Sequence, residues 1–406
     1  MTDVHLAITG TGRRGEGLAR HDGANIFVPY TLPGETVEAT TSGERGTLKR
    51  VVTPSLDRIA PFCKHYGTCG GCQLQHWRDE PYRQWKKGLV EAALRARGLE
   101  VIVRELIDAH GIGRRRVSIH VRRHGGVVTA GFMAARSHDL LDLDTCPILV
   151  PALANAFAIA SAIGEKAGDC DVALTATDGG IDASVKAERK IVEQEMAKFA
   201  GLAANLKLAR LSLNGTAIVT ERAPLVRMGK ADVAIPPVSF LQATAEGEAV
   251  LARLVSEALG KAKTVADLFC GCGPFTFRLA EKAKVWAYDS DKPAIAALLA
   301  ASRVTAGLKP VTATARHLFR EPLVAMELKA FDAVVFDPPR SGAEAQAQQL
   351  AKSKVKTVIA VSCDPASLAR DAEILTGGGY VLNTLTAVDQ FKWTSHVETV
   401  AVFRRA

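Results

Sequence analysis

The segment Ile359-Ala-Val-Ser-Cys-Asp-Pro-Ala-Ser-Leu-Ala-Arg370 sets a cysteine between an apolar β-branched run and the start of a helix. Asp364 suits an N-cap and Pro365 the first helical position, which predicts that Cys363 stands just ahead of a helix N-terminus. There the positive end of the helix dipole draws a thiol pKa down from about 8.5 towards neutrality and favours the nucleophilic thiolate. The bland alternative is a cysteine packing at a strand end. Near the C-terminus, His396-Val-Glu398-Thr-Val-Ala-Val-Phe403 reads as a strand with a carboxylate, Glu398, among valines, which makes it an edge residue or a functional base. Asp337 ends another apolar run, residues 331–336, and Pro338-Pro339 after it either holds it in a rigid extended loop or marks a plain turn.

Residues 264–289 read as strand, glycine turn, helix and second strand, in Thr264-Val-Ala-Asp-Leu-Phe-Cys-Gly271-Cys-Gly273-Pro and then Val285-Trp-Ala-Tyr-Asp289. Gly271 and Gly273 let the backbone approach a ligand, and Asp289 is placed to bind ribose hydroxyls. A dinucleotide fingerprint wants glycine or alanine at position 276, where this chain has Thr276, so a mononucleoside is the expected ligand and a structural loop the alternative.

Positioning these groups calls for an α/β architecture. Strands alternating with helices of about 12 residues in the second half predict a doubly wound parallel sheet, with Asp289, Asp337 and Cys363 emerging at its carboxyl edge. The first half reads differently. Residues 1–57 hold short β-like runs between turn signals such as Asp22-Gly23 and Pro33-Gly34, which predicts a small antiparallel, OB-like barrel. Arg13, Arg14, Arg20, Arg45, Lys49 and Arg50 would make its surface basic. Farther on, residues 82–97 read as an amphipathic helix, and residues 115–123 as a strand with Arg116, His120 and Arg122 on one face, suited to phosphates or simply solvated. The expected domains are 1–57, 58–235 (a cysteine region and a central α/β domain) and 236–406.

Cys63, Cys69 and Cys72, spaced x5 and x2 around Gly70-Gly71, describe a metal-binding knuckle. Cys146, followed by proline, is the best fourth ligand. His65 or His76 would instead complete a zinc site, and spacing alone leaves iron-sulfur and zinc open. Eight cysteines with no secretory leader pattern point to metal or catalysis rather than disulfides, and Cys170 reads as packing. The 406-residue chain, 48% hydrophobic, has no run of about 18 apolar residues, so a cytoplasmic protein with no membrane role is expected. Its net charge of +8 is a mild bias towards polyanions.

Taken together and in this order, these motifs resemble the S-adenosylmethionine-dependent RNA uracil-5-methyltransferases, the iron-sulfur branch that makes 5-methyluridine in ribosomal or transfer RNA. The marks are Cys63, Cys69, Gly70, Gly71, Cys72 and Cys146; Ser239-Phe-Leu-Gln242; Asp267-Leu-Phe-Cys-Gly-Cys-Gly273; Asp337-Pro-Pro-Arg340; Ser362-Cys-Asp-Pro365; and His396-Val-Glu398. The resemblance implies a Rossmann-like class I methyltransferase domain, a shortened TRAM-like RNA-binding barrel in front of it, and a 4Fe-4S cluster on the four cysteines. It implies that Gln242, Phe269, Asp289 and Asp337 line the pocket for S-adenosylmethionine around the Gly271 and Gly273 turn. Pro274 and His317 depart from the family pattern; His317 stands where an asparagine or aspartate often meets the adenine. It further implies that Cys363 adds to carbon 6 of uracil and Glu398 removes the carbon-5 proton; the RNA expected is ribosomal ahead of transfer, and a monomer is expected. Two rivals remain. An amino-methyltransferase of nucleic-acid bases would share Asp337-Pro338-Pro339 but want an aromatic residue in place of Arg340. A non-catalytic RNA-binding module with a structural metal would need no donor site.

Overall fold

A computed structural model describes residues 2–405. The chain divides into two compact units, one taking in the residues up to Leu89 with Phe132–Leu141 and Phe391–His396, the other Val90–Gly131, Asp142–Gln390 and Val397 onwards.

In the first unit the strands Thr2–Ala7, Thr36–Ser42, Arg45–Thr53, Ala24–Val28, Gly17–His21 and Gly10–Thr11 hydrogen-bond in that order. Asp22 at φ 48° and Gly23 at φ 80° form the tight turn between Gly17–His21 and Ala24–Val28, the left-handed pair that suits a two-residue hairpin. Alternation then buries Leu6, Ala19, Ile26, Val28, Val37 and Ala39 on one face. This six-stranded sheet occupies the stretch where a small barrel is expected. The helix Asp79–Arg95 follows, close to the expected span, and its residues from Val90 on belong to the second unit.

Besides the hairpin of Leu225–Met228 and Ala231–Ala234, the second unit holds two larger sheets. In one, Arg116–His124, Cys170–Thr177, Gly180–Ala187, Arg210–Leu213 and Thr216–Thr220 lie side by side, with Cys170 buried as expected of a packing residue. The other carries the candidate site. Its strands are β1 (Leu106–Asp108), β2 (Thr264–Leu268), β3 (Lys284–Asp289), β4 (Val311–Ala315), β5 (Ala333–Phe336), β6 (Thr357–Ser362), β7 (Tyr380–Asp389) and β8 (Glu398–Arg405). Helices α1 (Ala245–Ala258), α2 (Thr276–Ala280), α3 (Lys292–Val304), α4 (Glu344–Ala351) and α5 (Pro365–Gly377) connect and cover them. The order is β4-β3-β2-β5-β6-β8-β7-β1. β4, β3, β2, β5 and β6 are parallel, and the central β2, β5 and β6 are buried almost throughout, as strands covered on both faces must be.

The sheet is mixed, which corrects the expectation of a wholly parallel one. β8 runs antiparallel to both β6 and β7, because the β7–β8 connection, residues 390–397, is too short for the crossover that parallel pairing requires. β1 comes from far upstream and adds a parallel edge against β7. The chain reverses its direction of build between β2 and β5, so the carboxyl ends of β2, β3, β5 and β6 open on the crevice where doubly wound folds bind ligands. Among the described residues no helix is long and apolar enough to cross a membrane.

Candidate active site

β2 delivers the glycine turn. Phe269 takes φ 60°, a left-handed conformation that a residue with a Cβ holds only at a cost of about 1–3 kcal/mol, and Gly271 and Gly273 follow at 51° and 95°. The two glycines serve different ends. A Cβ on Gly273 would fall 2.9 Å from Leu298 and Phe277, whereas one on Gly271 would meet nothing within 4 Å. Gly273 therefore packs the turn and Gly271 leaves its outer face open. The Gly271 N–H donates to Asp289 Oδ2 at 2.8 Å and the Asp291 N–H to Oδ1 at 2.9 Å, which locks the carboxylate at the end of β3 beside the turn.

Thr276, the residue that departs from the dinucleotide pattern, donates its hydroxyl to Asp267 Oδ2 at 2.5 Å. Burial pushes Asp267 up to about 7 against that hydrogen bond, and its Oδ1 has no hydrogen-bond partner. Cys270 and Cys272 flank the turn but are buried, which raises both thiols and leaves them as packing groups. Phe269 lies 5.2 Å from Phe319, and His317 lies 6.1 Å from Phe319 with its own side chain exposed. An open glycine face, a fixed acid at the second strand and an aromatic group beside them fit a nucleoside-bearing donor.

Behind the turn two carboxylates are linked through two amides. Gln242 Nε2 donates to Asp337 Oδ2 at 3.1 Å, and Gln390 Nε2 donates to Gln242 Oε1 at 2.6 Å and to Glu398 Oε1 at 3.1 Å. Gln242, Gln390 and Glu398 are buried. Asp337 keeps part of its surface open, yet the packing around it, followed by the charge of Glu398, pushes it well above the usual carboxylate range while Gln242 pulls the other way.

Cys363 lies where the sequence places it. Asp364 caps α5 through its side chain, accepting from the Ala366 and Ser367 N–H groups at 3.0 and 2.9 Å, and Pro365 opens the helix. The expected neutral-pH thiolate is corrected, however. Burial, then Glu398 and Asp337, push the thiol up to about 12, and only Arg340 and a backbone hydrogen bond oppose them. Desolvation beside two carboxylates outweighs one helix end.

His396 and Glu398 do not share a strand as their spacing suggests, because β8 begins at Glu398. The segment carrying His396 belongs to the first unit, where the buried Lys86 donates to Phe391 O at 3.3 Å and His396 O at 2.6 Å. The expected single-sign basic face on Arg116–His124 is also corrected. Arg122 pairs with Asp171 and Glu188, and His120 with Asp171, so acids flank two of its three groups, while Arg116 donates to Leu241 O at 3.3 Å. Arg115, next to that face, is buried, donating to Glu248 Oε2 at 2.7 Å and Gln242 O at 3.0 Å.

Gln390, Glu248 and Arg115 escape sequence reasoning. Each is a polar residue with at least one partner far along the chain, and only the burial of Glu248 on the apolar face of α1 offers a periodic signal. Cys63, Cys69 and Cys72 lie in the first unit and Cys146 in the second, all half-buried and free of disulfides. Among the described residues no group of three or more His, Cys, Asp or Glu side chains is arranged to hold a metal ion.

The family model for tRNA (uracil-5-)-methyltransferases matches residues 234–406. An uncharacterized RNA methyltransferase of Brucella suis biovar 1 is 44% identical over 404 residues, covering 98% of this chain and 97% of its own. The 23S rRNA (uracil(1939)-C(5))-methyltransferase RlmD of Halomonas elongata is 34% identical, covering 97% of this chain and 88% of its own. In fold, the chain is similar to the crystal structure of Pyrococcus abyssi tRNA (uracil-54, C5)-methyltransferase in complex with S-adenosyl-L-homocysteine. That match has a TM-score of 0.77 at 22% identity and covers 98% of this chain and 99% of the other.

Proposed function

The chain belongs to the S-adenosylmethionine-dependent RNA uracil-5-methyltransferases, and from that premise we propose that it methylates carbon 5 of a uridine through a covalent adduct at Cys363. The observation that carries the reading is Cys363 at the carboxyl edge of β6 with Glu398 and Asp337 as its charged neighbours. Ribosomal RNA is favoured over transfer RNA because the Halomonas relative, by its name, acts on 23S rRNA.

Carbon 5 of uracil is a weak nucleophile, and Cys363 remedies this. Its sulfur bonds to carbon 6, and the electrons of the carbon 5–carbon 6 double bond move to the O4 enolate. S-adenosylmethionine supplies an electrophilic methyl group, which carbon 5 takes as the methyl–sulfonium bond breaks. Glu398 then accepts the carbon-5 proton, the double bond re-forms and the Cys363 thiolate leaves. The Cys363 thiol, held neutral in the free chain, first gives its proton to solvent and regains one from solvent after it leaves carbon 6. Asp289, the Phe269 to Gly273 turn, Gln242 and Asp337 would hold the donor, with His317 at the rim. The base has to leave its stack to reach Cys363.

In the first unit Arg13, Arg14, Arg45 and Arg136, together with Glu16 and Glu44, line a groove of about 560 Å³ with Phe27 in its wall, and Arg136 pairs with Glu16. Guanidinium groups around an aromatic ring suit a single-stranded RNA segment, which supports reading this sheet as the RNA-binding module. The 4Fe-4S assignment to Cys63, Cys69, Cys72 and Cys146 rests on spacing and family resemblance, and no step above passes through it.

The test is a denaturing gel of RNA incubated with labelled S-adenosylmethionine and each variant. Cys363→Ala should give neither adduct nor product, and Glu398→Gln should methylate but stay bonded to RNA. Full methyl transfer by Cys363→Ala would move the chain to amino-group chemistry.

A further inference from the structure

Gln390 directly follows β7 and is fully buried. Its side-chain nitrogen has two hydrogens, and each has its own acceptor: Gln242 Oε1 at 2.6 Å and Glu398 Oε1 at 3.1 Å. Turned over, the amide would set its oxygen against a carbonyl and a carboxylate, both acceptors, so these partners allow one orientation. That orientation leaves Gln390 Oε1 buried with no hydrogen-bond partner. A methionine would fill the same space without stranding an acceptor, so packing alone does not account for a glutamine.

The other side of the amide is closed by α1. A Cβ on Gly247 would fall 2.6 Å from Gln390 Oε1, 2.8 Å from Gln390 Cβ and 2.8 Å from Thr244 Oγ1, the cap of the helix. Gly247 thus admits the amide, and the amide in turn faces the two groups that matter. Beyond Gln242 the series continues to Asp337 Oδ2, so a shift at Gln390 is felt at both carboxylates.

We propose that Gln390 is a positioning residue for the closing proton removal, holding the Glu398 carboxylate as an oriented acceptor and tying it to Gln242 through one rigid amide. The assignment rests on the reading of Glu398 as the base. An N–H donated to a carboxylate favours its ionised form, the form that takes a proton. Losing that donor should weaken Glu398 as a base at low pH and let it turn away from carbon 5. Attack by Cys363 precedes this step and needs no amide.

The experiment compares wild type, Glu398→Gln, Gln390→Met and Gly247→Ala on bulk RNA from a strain deleted for the gene, with labelled S-adenosylmethionine, across the neutral pH range. Gln390→Met should still form the adduct but release it about tenfold more slowly, leaving a protein–RNA band that survives denaturation. The acid limb of its release rate should move up by about one pH unit, the amount a single charge-assisted hydrogen bond commands. Gly247→Ala keeps the glutamine but displaces it, so it should move the limb the same way by less, and it decides the matter if Gln390→Met does not fold.

Wild-type release and pH profile in Gln390→Met, with Glu398→Gln trapped on RNA, overturns the proposal and leaves the base assignment standing. Lost activity with no trapped band and an unmoved limb marks a merely structural residue and also overturns it. Wild-type turnover by Glu398→Gln removes the base assignment and this proposal with it.

Discussion

Arg115 Nη2 lies 2.7 Å from Glu248 Oε2, and both side chains are more than nine-tenths buried. Arg278 meets the other oxygen of the same carboxylate at 3.1 Å and also donates to Pro274 O at 2.6 Å, while Arg115 Nε holds Gln242 O. One buried acid thus braces both the residue after the glycine turn and the segment that presents Gln242. Removing one partner of a buried pair leaves a charge uncompensated at about 3–5 kcal/mol. Arg115→Ala should therefore lower unfolding stability by that order in urea titration; a loss below about 1 kcal/mol would mean that Arg278 alone satisfies Glu248.

Donor binding should depend on Asp289. Its two oxygens already accept backbone N–H groups from the turn and from Asp291, so the carboxylate is fixed before any ligand arrives. Charge-assisted bonds to two ribose hydroxyls contribute about 1.5–3 kcal/mol each. Asp289→Ala should weaken S-adenosylmethionine binding at least tenfold by calorimetry, and unchanged affinity would reject the assignment.

Much of this site is legible in the sequence because its signals are local. A β-branched run, an N-cap acid and a proline place Cys363; two glycines followed by an acid at the next strand end place Asp289. What stays hidden is set by distant packing. Leu106–Asp108 joins the edge of the sheet though it lies more than a hundred residues before β2, and nothing in three residues announces that. Gln390 reads as an ordinary polar residue until Gln242 and Glu398 stand on either side of it. The Cys363 thiol shows the limit in energetic terms: the helix end is readable, whereas the burial and the two carboxylates that outweigh it are not.

That thiol has a direct readout. With its proton held up to about 12, the thiolate is scarce at neutral pH, and its share should grow about tenfold per pH unit below that value. Alkylation of the peptide carrying Cys363, followed by mass spectrometry on the free enzyme, should rise steeply from neutral to alkaline pH. A plateau already reached at neutral pH would mean that the end of α5 prevails over Glu398 and Asp337.

The cysteine quartet is decided by metal analysis. Thiolates suit iron-sulfur and zinc alike, so the ligand type cannot choose between them. Anaerobically purified protein should be coloured and contain iron and acid-labile sulfide in equal amounts, and replacing Cys69 with serine should remove both. Colourless protein with stoichiometric zinc would overturn the cluster.

Asp267 gives the fold a pH dependence of definite sign. Burial raises its folded value from 3.8 to about 7, so the unfolded chain gives up this proton first as pH rises. The contribution of Asp267 is therefore most favourable below about pH 4, declines between about 4 and 7, and is level above that. A difference of about three units corresponds to on the order of 2–4 kcal/mol once relaxation is allowed for. Asp267→Asn removes the ionisation, and the Thr276 hydroxyl, now bonded to Asp267, can turn to accept from the new amide. Relative to wild type, the variant should therefore gain stability from acid to mildly alkaline pH, read as a widening gap in urea midpoints. The comparison cancels the other titrating groups, which both proteins share. A gap independent of pH would show that Asp267 ionises in the fold as readily as in the unfolded chain, and a gap of opposite sign that the Thr276 bond outweighs burial.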